Sequence, residues 1–363
     1  MPKVSVIVPV YNVKLYLRIA LDSLIRQTLH DIEIICINDG STDGSGNILH
    51  EYAEKDSRVI VIDQKNGGYG KAMNTGIDHA TGEYIGILEP DDFVALTMYE
   101  DLYEIAKTND LDILKADFYR FTIDQETETE SYQYAHLSGN QDSYGTVFRP
   151  MDRLESFFYI MNTWSGIYRH SFLREKGIKH HETPGASFQD NGFWFQTFLY
   201  ADRAMIVDTP YYRVRRDNPN SSIRNPEKVY AANIEYDFIR GIIMKDKAAW
   251  EKLKGVYWRK RYHNYNATLR RVDQAYIYEY TKQIARELNR GYSRGEFSEK
   301  DFPKVEWLQI VAMMEERPEL GTPAELFLKG ELELIRNSKS YRLGRMITSI
   351  PRKIRGIIRR VTA

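Results

Sequence analysis

Short apolar runs alternate with amphipathic stretches through the first part of this chain. Val4–Val10, Ile32–Ile37, Val59–Ile62 and Tyr84–Leu88 are apolar and rich in β-branched residues. Between them, Leu17, Leu21, Leu24 and Ile25, then Ile48, Leu49, Tyr52 and Ala53, then Met73, Ile77 and Ala80 fall on single helical faces. Strands that are apolar throughout, rather than at every second residue, are buried on both sides. The pattern predicts a parallel sheet covered by helices on both faces. Thr97–Lys107 then reads as a helix and Leu111–Phe121 as a further strand. Residues 122–148 are polar, with turn signals at Gly139-Asn140 and Tyr144-Gly145, and predict a hairpin or an irregular insertion. Met151–Met161 and Phe188–Tyr200 predict helices, and Met205–Val207 and Tyr211–Val214 short strands. Beyond Pro226 the pattern is mostly helical to about Ile335. The expected organisation is an α/β domain over residues 1–220, with halves 1–121 and 122–220, a helical region over 226–337 and a tail over 338–363.

Composition narrows the class. The 363 residues are 42% apolar and 28% charged, as in water-soluble globular proteins. The single Cys36 lies in an apolar run, so no disulfide framework is possible and a core role is expected. The N-terminus runs straight into a strand and no stretch is apolar enough to span a bilayer, which predicts a cytoplasmic protein. The net charge of −1 hides an asymmetry: residues 339–363 carry eight Lys or Arg and no acid, leaving −9 on the rest.

The chemistry gathers where predicted strands end. In an open α/β sheet ligands bind beyond the carboxyl ends of the strands. There this chain places Pro9-Val10-Tyr11-Asn12, then Asn38-Asp39-Gly40-Ser41-Thr42-Asp43, then Asn66-Gly67-Gly68-Tyr69-Gly70-Lys71, then Glu89-Pro90-Asp91-Asp92. Tyr11 offers an aromatic face. Ser41–Ser45 reads as a turn and helix cap, but Asp39 closes a buried strand and needs a partner. The glycine turn allows close backbone approach, and Lys71 at a helix start suits a phosphate. Three acids in four residues repel one another unless a cation sits among them, and a hard ion such as Mg²⁺ or Mn²⁺ takes oxygen ligands and bridges phosphates. Together these loops describe a nucleotide diphosphate site.

The order and spacing of these motifs, together with Asn74-Thr75-Gly76-Ile77 and Ala80-Thr81-Gly82-Glu83-Tyr84, resemble family 2 glycosyltransferases of the GT-A fold over roughly residues 1–220. The resemblance implies a UDP-sugar donor. Pro9 and Tyr11 would shape the nucleobase pocket and Asp39 would accept the uracil imide. Asn66, Gly68, Lys71 and Asp91 would complete the donor site, with Asp91 and Asp92 holding Mn²⁺ or Mg²⁺. Pro184–Trp194 resembles the family's Glu-Asp segment, which makes Asp190 the general base of an inverting transfer. Trp164 would stand on the acceptor side, facing a glycan, glycoprotein or lipid-linked acceptor. Three positions depart from the family pattern: Glu89 replaces the usual Asp, Met73 a frequent Arg, and Gln189 a Glu. They leave open a non-catalytic, nucleotide-binding scaffold subunit. A nucleotidyltransferase would need a basic glycine-rich loop where this chain has Pro9–Asn12.

The remaining features are peripheral. Arg213, Arg215 and Arg216 precede a polar loop suited to closing over a diphosphate. His180 and His181 read as surface histidines. In the tail, Leu343, Met346, Ile347, Ile350 and Ile354 at helical spacing among basic residues suit an anionic bilayer surface, on the inner face of the cell membrane. The Tyr-rich helical region offers a surface for homo-oligomerisation. No basic and aromatic surface suited to nucleic acid accompanies these features.

Overall fold

The computed structural model describes residues 1–124, 127, 129–219 and 228–315. The basic tail and the loop after Pro219 lie outside the described residues. The donor half alternates β1 (Val4–Val10), α1 (Lys14–Ile25), β2 (Ile32–Asn38), α2 (Ser45–Lys55), β3 (Val59–Asp63), α3 (Tyr69–His79) and β4 (Tyr84–Ile87). The chain continues with β5 (Phe93–Val94), α4 (Met98–Thr108), β6 (Ile113–Ile123), β7 (Glu130–Ala135), β8 (Gly166–Arg169), α5 (His170–Glu175), α6 (Gln189–Tyr200) and β9 (Ala204–Arg215). The helices α7 (Ala231–Ile243), α8 (Lys247–Leu269), α9 (Gln274–Ser293) and α10 (Lys304–Glu315) follow.

One sheet carries all the strands among the described residues, in the order β3-β2-β1-β4-β8-β6-β9-β5, with β7 paired to β6. The strands from β3 to β4 are parallel, as their apolar runs require. Every residue of β1 is buried, whereas β3 at the sheet edge exposes its outer positions. Glycines set the helix spacing. A Cβ on Gly76 of α3 would stand 2.5 Å from the Ile7 side chain, and one on Gly86 of β4 would stand 2.5 Å from the Tyr99 ring.

Elsewhere the sheet corrects the sequence expectations. The 122–148 region does form a hairpin, β6 with β7. Met205–Val214 is one strand, because β6 supplies a continuous parallel partner broken only by an irregularity at Ala116/Phe118. Met151–Met161 forms two short 3₁₀ turns, Pro150–Asp152 and Leu154–Phe158.

The chain divides into two compact units, residues 1–264 and 265–363. In the first, α7 packs on α6, so the unit extends beyond position 220. Nearly all of α6 is buried, from Gln189 to Phe198, which explains its aromatic sequence. In the second, Asp273 caps α9 through Ala275 N–H, and Tyr292, Phe297, Phe302 and Trp307 cluster.

Candidate functional site

The loops at the carboxyl ends of β1, β2 and β3 brace one another. Asn12 takes a left-handed backbone (φ 50°), and its Oδ1 accepts from Thr42 N–H at 2.8 Å. Val13 and Lys14 N–H donate to Ser45 Oγ and Asp43 Oδ2 at 3.1 and 2.9 Å. The Ser41–Ser45 run therefore caps α1, satisfying donors that the helix itself cannot. Pro9 is buried inside β1, while Tyr11, just past the carboxyl end of that strand, is 53% exposed.

Asp39 is the hinge of the next loop. Its Oδ1 accepts from Gln64 Nε2 at 2.7 Å and Gly67 N–H at 2.9 Å, and its Oδ2 accepts from Gly68 N–H at 2.9 Å. This is the partner a buried strand-end carboxylate needs. A carboxylate offers about four lone-pair directions, so about one remains on Oδ2 for a ligand N–H. Gly68 has φ +86°, and a Cβ there would stand 2.6 Å from Thr183 O. The turn is thus glycine because the 181–185 segment lies directly on it, with Tyr69 N–H donating to Gly185 O at 3.0 Å. Asn74 pins the same segment by exchanging hydrogen bonds with the His180 backbone at 2.8 and 2.9 Å. Asn66 and Lys71 are exposed at the rim, with Lys71 Nζ 3.9 Å from Glu182.

The three acids after β4 separate into distinct roles. Asp92 is 2% exposed; its Oδ1 accepts from Arg215 N–H at 2.7 Å and its Oδ2 from Tyr212 O–H at 2.8 Å. It points into the protein and ties β9 to this loop, so both oxygens of the expected metal ligand accept from protein donors. Asp91 is half-buried, with Oδ2 accepting from Asn218 Nδ2 at 2.8 Å and no described donor on Oδ1. Glu89 accepts from Tyr69 O–H at 2.7 Å. Burial pushes its carboxyl up to about 8, against the Tyr69 hydrogen bond, and the charges of Asp91 and Asp190 push the same way.

Asp190 reaches this cluster from the first turn of α6, after Phe188 in a left-handed conformation (φ 62°). Its Oδ1 accepts from Asn191 N–H and Nδ2, both at 3.0 Å. Burial raises its pKa, opposed by those hydrogen bonds and by the charge of Lys260. Gln189 explains its own departure from the family pattern. Its amide accepts from Ser187 N–H and donates to Thr183 Oγ1 at 2.7 Å, closing the loop with a donor and an acceptor that an ionised Glu cannot both supply.

Several neighbours of Asp190 come from helices remote in sequence. Asn264 Nδ2 donates to the Tyr236 hydroxyl oxygen at 2.8 Å, and Tyr236 O–H donates to Asn191 Oδ1 at 3.3 Å. Glu235, on α7, accepts from Gly192 N–H and pairs with His181 Nδ1, each at 2.9 Å. Burial, then Asp190, pushes Glu235 up to about 8, and burial pushes Lys260 down to about 8. No local motif announces these residues. Tyr69 was legible only as part of the glycine turn. His180 corrects the surface expectation: it is 3% exposed and stacks on Phe193 at 4.3 Å. Trp164 is half-buried and stacks on Tyr212 at 4.2 Å, edge-on to Phe118.

The donor set suits a hard divalent ion held partly by substrate. Among the described residues no group of three or more ligating side chains stands ready-made. Mg²⁺-type sites commonly use one or two carboxylates and leave the rest to phosphates and water. Asp91 beside Glu89 fits that arrangement, since a cation would offset the burial and the neighbouring Asp91 and Asp190 charges that raise the Glu89 pKa.

Comparison with known proteins agrees with this architecture. Among curated proteins, an uncharacterized glycosyltransferase of Bacillus subtilis (strain 168), EpsJ, is 37% identical over 62% of this chain and 64% of its own length. A poly(ribitol-phosphate) beta-glucosyltransferase of Bacillus spizizenii is 40% identical over 69% of this chain and 38% of its own length. The chain therefore spans less than two thirds of both. The crystal structure of S. aureus TarS 1-349 in complex with UDP-GlcNAc shares the fold, with a TM-score of 0.64 at 18% identity, covering 94% of this chain and 92% of that one. The Glycosyl transferase family 2 profile matches residues 5–187, just over half the chain, and the chain belongs to that family.

Proposed function

We propose that this chain is an inverting, metal-dependent glycosyltransferase that moves one sugar from a UDP-sugar to a glycan, glycoprotein or lipid-linked acceptor. The observation that carries the reading is the meeting of Asp190 with Glu89 and Asp91. The charge of a carboxylate from α6 adds to the burial that raises Glu89 in the acid loop after β4. Tyr11 provides the nucleobase face, with Pro9 behind it. Asp39 accepts the imide N–H on its remaining Oδ2 lone pair. The Asn66–Gly68 turn brings backbone close to the diphosphate, and Lys71 offers a cation at the rim. Asp91, with Glu89, would hold Mn²⁺ or Mg²⁺, which when bound stabilises the charge of the leaving diphosphate.

Asp190 takes the acceptor hydroxyl proton as that oxygen attacks the anomeric carbon. The bond from that carbon to the diphosphate oxygen breaks, and configuration inverts. A base serves best when its pKa approaches the working pH, and burial moves Asp190 in that direction. Asn191, held through Tyr236 and Asn264, keeps one oxygen engaged and leaves Oδ2 without a described donor. Among the described residues no helix is long and apolar enough to cross a membrane; contact with an anionic surface through residues 339–363 belongs to the same proposal.

The test is Asp190→Asn. Turnover of a UDP-sugar is expected to fall by about 10²- to 10⁴-fold with UDP affinity retained. Unchanged turnover would remove Asp190 as the base. Loss of UDP binding as well would assign it to donor binding instead.

A further inference from the structure

Helices α6, α7 and α8 meet behind Asp190. Asn191, beside it on α6, is 1% exposed, and Tyr236 on α7 is fully buried. Asn264 lies one turn after Lys260 on α8. Tyr257 O–H donates to Tyr236 O at 3.1 Å and ties α8 to α7.

The hydrogen bonds that join these helices run in one direction. Asn264 Nδ2 donates to Lys260 O at 3.1 Å and to the Tyr236 hydroxyl oxygen at 2.8 Å. A backbone carbonyl only accepts, so the nitrogen end of the Asn264 amide must face it, and the second N–H goes to Tyr236. The Tyr236 hydroxyl has a single proton, which is donated onward to Asn191 Oδ1 at 3.3 Å. That holds the oxygen end of Asn191 towards Tyr236 and leaves its nitrogen end to donate to Asp190 Oδ1 at 3.0 Å. Turned the other way, Asn191 would present a carbonyl oxygen to Asp190, an arrangement that only a protonated carboxyl satisfies. Burial already favours that neutral form, and a neutral carboxyl cannot take the acceptor's proton.

We propose that Asn264 and Tyr236 are positioning residues: the direction of their hydrogen bonds holds Asn191 as a donor to Asp190 and so keeps the base in its proton-accepting form. This deepens, and rests on, the reading of Asp190 as the general base. Charged and titratable groups also face Asp190: Lys260 on α8, Glu235 on α7, and Glu89 and Tyr69 on the donor side. None of these side chains hydrogen-bonds to the Asn191 amide, so the direction of that amide is set through Tyr236.

Titration of the Asp190 carboxyl by ¹³C NMR in the full chain tests it, with the signal assigned by its loss in Asp190→Asn. Tyr236→Phe keeps the ring and removes the link. Asn264→Leu keeps the size, removes the donor and leaves every charged neighbour in place; it carries the test if Tyr236→Phe fails to fold. Each is expected to move the Asp190 titration upward by about half a unit to one unit, because a donor to the charged form is weakened. The double variant is expected to move it no further than Tyr236→Phe alone, since both substitutions cut one relay. In UDP-sugar turnover the acid limb of kcat should move up with it, while KM, and kcat at alkaline pH, stay within about twofold. An unmoved Asp190 titration in both variants would overturn the relay and leave these residues a packing role. Additive shifts in the double variant would overturn it too. A moved titration with an unmoved acid limb would keep the relay and overturn Asp190 as the base, so the two failures are distinguishable.

Discussion

Glu235→Gln isolates one buried carboxyl and turns it into a measurable pH dependence. Glu235 is 1% exposed, and its pKa rises from the ordinary 4.5 to about 8, through burial first and then Asp190. Because the folded-state value lies above the unfolded one, the folded chain holds an extra proton between them. That contribution to stability is complete below pH 4.5, shrinks as pH rises, and is gone above about pH 8. At pH 6, two units below the folded value, it amounts to roughly 2 to 3 kcal/mol at 1.36 kcal/mol per unit. At pH 9 it is close to zero. The amide introduced by the substitution would still accept from Gly192 N–H through its carbonyl and can donate to His181, so shape and hydrogen bonding persist while the titration disappears. Urea unfolding at pH 6 and pH 9 should therefore show the wild type losing about 2 to 3 kcal/mol more than the variant over that interval. Other titrating groups are common to both proteins and cancel in the difference. Parallel stability profiles for the two proteins would refute a raised Glu235 pKa, and with it the claim that α7 imposes an acidic, desolvated surrounding on Asp190.

The other predictions separate binding from architecture. Asp92→Ala strands the Tyr212 hydroxyl and Arg215 N–H, and is expected to cost about 2 to 5 kcal/mol in urea unfolding. Asp91→Asn should cost less than about 1 kcal/mol, as a half-exposed position, yet abolish the Mn²⁺ dependence of UDP affinity in calorimetry. The reverse pattern would return Asp92 to the metal. Gly68→Ala combines φ +86° with a Cβ 2.6 Å from Thr183 O, so a loss of at least ~2 kcal/mol is expected, with faster amide exchange over residues 181–185. Unchanged protection there would show that the turn does not seat on that segment.

Much of the donor half was legible because its determinants are local. A strand buried on both faces writes a continuous apolar run, as Val4–Val10 does, and an amphipathic helix writes its period, as α3 does. The acceptor half was less so. Residues 205–214 looked like two strands because Asp208, Thr209 and Pro210 interrupt the apolar pattern, and only pairing with β6 joins them. His180 looked exposed because adjacent histidines carry no burial signal; its stacking partner Phe193 is brought to it only by the packing of α6.

The acid cluster divides the two kinds of information. Residue type and spacing determined that Glu89, Asp91 and Asp92 follow a buried strand, that Asp39 ends another and that Asp190 starts a helix. Those facts sufficed for the fold class, the family resemblance and the expected nucleotide-sugar site. Tertiary structure alone decided which carboxylate does what. Asp92 turns inward because Tyr212 and Arg215 arrive from β9 to satisfy it, more than a hundred residues away. Glu89 rises to about 8 because the fold buries it and brings the charges of Asp91 and Asp190 near it, against the Tyr69 hydrogen bond, and Asp190 is framed by Tyr236 and Lys260 from helices outside any motif. The reason is physical: strand and helix periods are properties of neighbouring residues, whereas the ionisation and direction of a carboxylate depend on whatever the fold brings within a few ångströms of it.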